Sequence, residues 1–252
     1  MKRLTTATLL LSLLTFSAAQ AGVVAFDMVN SDSQNLISHT NAWENAFSSA
    51  GDGFQKYQRG VSPTIPFAVL DDSISVFPPD TLGIIDETNT DVFFGATDTV
   101  NGDSPGLVSA NWLFDVSGIT DLSVSIDIGA MGDFETSDFF EWTYSIDGGA
   151  TMSLFSSTVD NDGSQVYTMA GGAVVPLNDP MLLNGVLLSN ILQTFTANIA
   201  GTGSELLLTL TVETNGGSEG MVFQNLVVNS EPGMLLLLGA GLLGLGFARR
   251  RA

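Results

Sequence analysis

Every second residue is apolar in three stretches of this chain, and that spacing constrains its fold more than any other feature. Leu122, Val124, Ile126 and Ile128 alternate with Ser123, Ser125 and Asp127. Phe140, Trp142, Tyr144 and Ile146 alternate with Glu141, Thr143 and Ser145, and Leu206, Leu208, Leu210 and Val212 keep the same spacing. Successive side chains of a strand point to opposite faces, so a period of two with one greasy face marks a strand lying on a core. Shorter strand signals surround these at residues 23–28, 91–94, 97–101, 107–115 and 221–228. Turn sequences separate them: Gly102-Asp103-Ser104-Pro105-Gly106, Ser117-Gly118, Asp147-Gly148-Gly149 and Asn215-Gly216-Gly217. Short strands, glycine turns and little helical periodicity predict an all-β chain, an antiparallel β-sandwich of jelly-roll-like form. One short helix is expected over residues 41–49, with Asn41 as its cap and Glu44 three residues on. Pro63, Pro66, Pro78 and Pro79 punctuate a loop-rich region after it.

The two ends carry a different pattern. Lys2 and Arg3 precede an apolar stretch at residues 9–16 and a small-residue cleavage site, Ala19-Gln20-Ala21. This is the layout of a secretory signal peptide over residues 1–21, with an N-terminal signal helix and Ala19 and Ala21 at the cleavage site. At the other end Ser230-Glu231-Pro232-Gly233 leads into residues 234–248, all apolar or glycine, and then Arg249-Arg250-Arg251. As a hydrophobic helix at ~1.5 Å per residue that run reaches ~22 Å, short of a ~30 Å hydrocarbon core. Four glycines lie in it, and the whole suits a temporary anchor held by cytoplasmic arginines. Gly239-x-Gly241-x-x-Gly244 is a literal dinucleotide fingerprint, but neither the strand nor the acidic residue such a site needs accompanies it. Ala240, Gly244 and Ala248 read better as a small-residue stripe for close helix approach.

This tail, Glu231, Pro232 and Gly233 followed by the apolar run and Arg249, Arg250 and Arg251, resembles the PEP-CTERM sorting signal of surface and matrix proteins in exopolysaccharide-producing Gram-negative bacteria. The family's Pro-Glu-Pro stands here as Ser230-Glu231-Pro232. The resemblance implies transient residence in the inner membrane, processing by an exosortase-type enzyme and delivery to the cell surface or matrix. On this reading residues 22–229 are the exported β-sandwich domain and 230–252 the sorting tail.

Charge and cysteine usage narrow the classes further. Residues 22–233 hold all 27 acidic residues but only Lys56 and Arg59 as bases, a net charge of −25. Such a chain repels phosphate backbones, so no nucleic-acid partner is expected. The acidity suits either solvation in a crowded matrix or divalent cations. There are no cysteines, which excludes disulfides, thiolate metal sites and cysteine nucleophiles.

A second resemblance lies in the exported domain. It rests on Phe114-Asp115-Val116-Ser117-Gly118, on the run from Ser125 through Gly132-Asp133-Phe134-Glu135, on Trp142-Thr143-Tyr144-Ser145-Ile146-Asp147-Gly148-Gly149, and on Gly217-Ser218-Glu219. These are similar to a β-sandwich module of secreted marine bacterial proteins, which sometimes precedes an extracellular endonuclease/exonuclease/phosphatase domain. The module usually closes on Phe-Asp-Asn; here the residues are Phe223-Gln224-Asn225. In related jelly rolls an aspartate of the closing strand holds a structural calcium ion.

Enzymatic readings find little support. His39 is the single histidine, set among Ser38, Thr40 and Asn41 with no nucleophile-elbow pattern. Asp133, Glu135, Asp138 and Glu141 could supply the two carboxylates of a glycoside hydrolase, but that mechanism depends on a separation no sequence gives. Calcium, which takes six to eight oxygens, is the sharper option for two oxygen-rich loops. Asp133, Glu135 and Asp138 lie in one, and Asp160 and Asp162 in the other. Neither is an EF-hand, since Gly163 as sixth loop residue would put Thr158 first and Met169 twelfth. For a sugar ligand, Trp43 and Trp112 are the candidate stacking residues, Trp142 falling on an apolar stripe. The sequence thus points to a non-enzymatic exported surface or matrix protein needing no cofactor, or Ca2+ alone. A carbohydrate-binding or calcium-dependent adhesion module, with exopolysaccharide as partner, is the alternative, and an unrecognised glycoside hydrolase the third.

Overall fold

A computed structural model describes residues 22–71, 82–104 and 106–230. The signal-peptide residues Ala19 and Ala21 and the tail residues Glu231, Pro232, Gly233, Arg249, Arg250 and Arg251 lie outside the described residues. The first strands are β1 (Gly22–Val29), β2 (Asp32–Gln34), β3 (Leu36–Asn41), β4 (Gly53–Tyr57), β5 (Leu70–Asp71) and β6 (Ile85–Asp86). There follow β7 (Phe93–Thr97), β8 (Val108–Asp115), β9 (Leu122–Met131), β10 (Phe139–Ile146), β11 (Met152–Val159) and β12 (Ser164–Thr168). The last are β13 (Val174–Asn178), β14 (Met181–Leu183), β15 (Val186–Leu187), β16 (Gln193–Asn198), β17 (Glu205–Glu213) and β18 (Gly220–Ser230).

Two seven-stranded sheets make an antiparallel sandwich. One runs β16-β9-β18-β1-β2, with β7 also on β18 and β4 on β7; the other runs β15-β14-β11-β10-β17-β8-β3. Strand β18 is the spine of the first sheet. Along one edge it pairs with β9 from Gly220↔Met131 to Ser230↔Leu122; along the other it meets β7 and then β1. A bulge between Gln224 and Val227 interrupts it, where Asn225 takes a positive φ of 51° and donates to Asp127 Oδ2 at 2.7 Å.

The period-two stripes fill the space between the sheets. Leu122, Val124, Ile126 and Ile128 from β9 meet Phe140, Trp142 and Tyr144 from β10 and Leu206, Leu208, Leu210 and Val212 from β17 in one buried core. Phe223 stands at its centre, edge-on to Phe140 at 5.1 Å and to Trp142 at 5.6 Å. The proline-punctuated region has its own role. Ile65, Ala68, Val69, Leu70, Leu82, Ile84 and Ile85 form a second buried cluster with Met131, Val222 and Tyr167, covering the outer face of β9 and β18.

Two local expectations are corrected. Residues 42–45 form turns rather than a helix. Asn41 Oδ1 accepts from the Trp43 N–H at 2.9 Å, two residues on, and Asn45 adopts φ 58° with its N–H given to Gln55. Each of these competes with helical bonding. The strand expected at 97–101 stops at Thr97, because Asp98 turns at φ 42° and Asn101 donates back to its carbonyl at 2.7 Å.

Candidate functional site

Register places the site. Met131 at the end of β9 faces Gly220 at the start of β18, and Phe139 at the start of β10 faces Glu213 at the end of β17. The β9–β10 connection and the β17–β18 connection therefore cross from one sheet to the other at the same end of the sandwich. Glu135 and Asp138 lie in the first arch and Glu219 in the second. One carboxylate oxygen from each of the three lies within 4.8 Å of the other two. Asp138 and Glu219 are 1% and 3% exposed, while Glu135 stands at the surface.

Hydrogen bonds hold each buried carboxylate by one oxygen. Asp138 Oδ2 accepts from the Glu135 N–H at 2.7 Å, and the Asp138 N–H returns to the Glu135 carbonyl at 2.9 Å. Glu219 Oε2 accepts from the Thr214 hydroxyl at 2.6 Å and from the Gly216 N–H at 3.1 Å. Thr214 is held in turn, its N–H donating to Thr99 Oγ1 at 3.1 Å and its carbonyl accepting from Val100 at 2.9 Å. Among the described residues Asp138 Oδ1 is buried with no donor but a proton shared with the neighbouring carboxyls.

No lysine or arginine among the described residues neutralises the group. Those described are Lys56 and Arg59. Lys56 pairs with Asp27, and Arg59 donates to the carbonyls of Asp86 at 3.0 Å and Asn89 at 3.4 Å. Burial therefore raises the pKa of both acids. At Asp138 it outweighs the pull of the Glu135 amide, and at Glu219 it outweighs the Thr214 bond and is reinforced by the charge of Asp138. Such carboxylates must hold protons or share a cation.

The other sequence candidates are placed as follows. Asp133 and Asp162 are exposed and Asp160 is half-buried, all three outside the carboxylate group. Their loops nevertheless adjoin, for Thr136 Oγ1 donates to Asn161 Oδ1 at 3.0 Å. Gln224 uses both ends of its amide, accepting from Asn89 at 3.2 Å and donating to the Val92 carbonyl at 3.3 Å. A neutral side chain thus ties the segment before β7 to β18. Trp112 is corrected: it is 0% exposed, tilted against Trp142 at 5.0 Å and His39 at 4.7 Å, and offers no face to a sugar ring. Trp43 is half-buried beside Phe47 at 6.3 Å. Phe47 borders an open cleft of about 220 Å³ with Asn45, Asp52, Gln55 and Tyr57. Glu219 was not among the sequence candidates. Its signals were its place in the Gly217-Ser218-Glu219 motif and its position just before the closing strand.

No family model and no curated protein matches the chain. Several solved structures are similar to it. The K2 cleaved adhesin domain of Lys-gingipain has 12% identity and a TM-score of 0.37, over 81% of this chain and 96% of that one. The K3 cleaved adhesin domain of Lys-gingipain from Porphyromonas gingivalis has 9% identity and a TM-score of 0.36, over 84% and 100%. TmCBM61 in complex with beta-1,4-galactotriose has 9% identity and a TM-score of 0.31, over 57% and 74%. At such values no residue, ligand or activity carries over to this chain.

Proposed function

We propose that this chain is an exported, non-catalytic β-sandwich protein, delivered to the cell surface or extracellular matrix through its PEP-CTERM-like tail. The observation that carries this reading is the sequence arrangement itself: an acidic sandwich set between a signal-peptide pattern and the run Glu231-Pro232-Gly233, apolar segment, Arg249-Arg250-Arg251. The interior supports a role without catalysis. Of the hydrolase candidates, Asp138 is 1% exposed, which removes it from any pair flanking a glycosidic bond. His39 has its Nε2 buried without a partner and packs on Trp112.

An exosortase-type enzyme would remove the tail. Mass spectrometry of the protein recovered from the surface or matrix fraction should find residues 234–252 missing. Recovery of an intact Arg249-Arg250-Arg251 end from that fraction overturns the sorting reading.

A carbohydrate-binding or adhesion role is the second reading, favoured by the cleft beside Phe47 and the half-buried Trp43. Exopolysaccharide would be its partner. Glycan-array binding by the full-length protein, lost in Trp43→Ala and Phe47→Ala, supports it; binding unchanged in both removes the cleft from consideration.

A further inference from the structure

We propose that Glu135, Asp138 and Glu219 form a calcium-class cation site that clamps the β9–β10 arch to the β17–β18 arch, a role separate from export and sorting. Two independent observations carry it. Three carboxylates converge from segments 81 residues apart in the chain, with both bases of the described residues engaged elsewhere. Within that group Asp138, 1% exposed, has a buried Oδ1 for which the described residues offer no donor other than a proton shared with Glu135 or Glu219. A buried acceptor left unpaired costs about 1–3 kcal/mol, and more when charged, so a fold that leaves one facing two further carboxylates points to a missing partner of positive charge.

Geometry and donor type select the ion. Three carboxylate oxygens within 4.8 Å of one another can converge on a single ion. An irregular, partly buried set of this kind suits calcium, because magnesium demands near-ideal octahedral geometry and gives up its waters reluctantly. The donors are all hard oxygens, with neither imidazole nor thiolate, which disfavours zinc and copper. The hydrogen bonds already described fix one oxygen each of Asp138 and Glu219, which orients the carboxylates before any ion arrives. Exposed Glu135 supplies the solvent side, where water completes the six to eight ligands calcium takes.

The test is calorimetric titration of the EDTA-treated full-length protein with calcium chloride or magnesium chloride at constant ionic strength, alongside melting curves. The expected result is one saturable calcium site per chain, a rise in Tm with calcium, and magnesium binding at least tenfold weaker. Asp138→Asn and Glu219→Gln should each weaken calcium at least tenfold while leaving the Tm in EDTA unchanged or higher, because each removes like charge from a crowded group. Asp133→Asn should bind as the unaltered protein does. Should a buried variant fail to fold, Glu135→Gln on the exposed side gives the same reading. Calcium and magnesium acting alike in proportion to ionic strength, or a calcium site that survives unchanged in Glu135→Gln, overturns the proposal.

Discussion

The indole nitrogen of Trp112 donates to Asp27 Oδ2 at 2.7 Å, linking β8 of one sheet to β1 of the other across the sandwich interior. Asp27 is 5% exposed and takes Lys56 of β4 as its ion-pair partner. One buried carboxylate thus serves a tryptophan that would otherwise leave its N–H unpaired and a lysine whose side chain is only 27% exposed. Asp27→Asn should destabilise the fold by about 2–4 kcal/mol, since it strands the Lys56 charge. Adding Lys56→Met should restore part of that loss. Urea denaturation of the two singles and the double variant measures the coupling; simple additivity would show that the pair does not act as a unit.

The neighbouring positions Ser125 and Ile126 separate the two faces of β9. Ile126 is 0% exposed inside the core, whereas Ser125 faces outward and shares a 2.9 Å hydrogen bond with Thr196 on β16. Ile126→Asp places an unpaired charge in a dry interior, a cost of several kcal/mol that rivals a domain's whole stability of about 5–15 kcal/mol. It should abolish cooperative folding. Ser125→Asp should change stability by roughly 1 kcal/mol or less. Circular dichroism melts of the two variants check this, and equal effects would contradict the facing of the strand.

The same alternation explains what the sequence disclosed and what it hid. Strands β9, β10 and β17 each have one face in the core and the other toward solvent or a loop, so their residues carry the period plainly. In β8 the residues Val108, Ala110, Trp112 and Phe114 are all buried, a period of two that places Trp112 in the interior against its sequence expectation as a sugar-stacking residue. Strands β11 to β16 are harder to read. Strands β12 to β16 are six residues or fewer, β11, β12 and β16 carry serine and threonine, and Met152, Val166, Val174, Val186 and Leu187 are apolar yet exposed. The cover formed by Ile65, Leu70, Leu82 and Ile84 has no period, because irregular backbone lays its apolar side chains down by contour. Oxygen-rich composition marked Glu135 and Asp138. Glu219 joins them only through the pairing of β9 with β18, which no local signal encodes.

His39 gives the fold a dependence on pH in the acid range. Burial, and then the positive charge of Lys56, lower its pKa from 6.5 to about 4, with Asp27 opposing them. The unfolded chain therefore binds the proton more readily between pH 6.5 and 4, and stability falls as pH drops through that window. His39→Gln should flatten the slope there. Urea midpoints at pH 7, 6 and 5, taken with EDTA present throughout, test this; an identical slope in the variant would show that His39 is not the source of the acid sensitivity.

Gly216 is the closest constraint on the seat of Glu219. A Cβ at that position would come within 2.3 Å of Glu219 Oε1 and 2.6 Å of its Cδ, so any side chain there must push the carboxylate away. The displaced group would give up its bonds from the Thr214 hydroxyl and the Gly216 amide while remaining buried. Gly132 presses from the other arch, where a Cβ would stand 2.8 Å from Glu219 Cγ, so little room exists for the side chain to retreat. Gly216→Ala should therefore cost about 1–3 kcal/mol in thermal denaturation. Gly217→Ala is the control. Its Cβ would meet nothing nearer than Asp98 Oδ2 at 3.9 Å, and its Tm should stay within a degree or two of the unaltered protein. Equal tolerance of alanine at both positions would mean that Glu219 moves aside freely, and that the second arch does not fix its carboxylate.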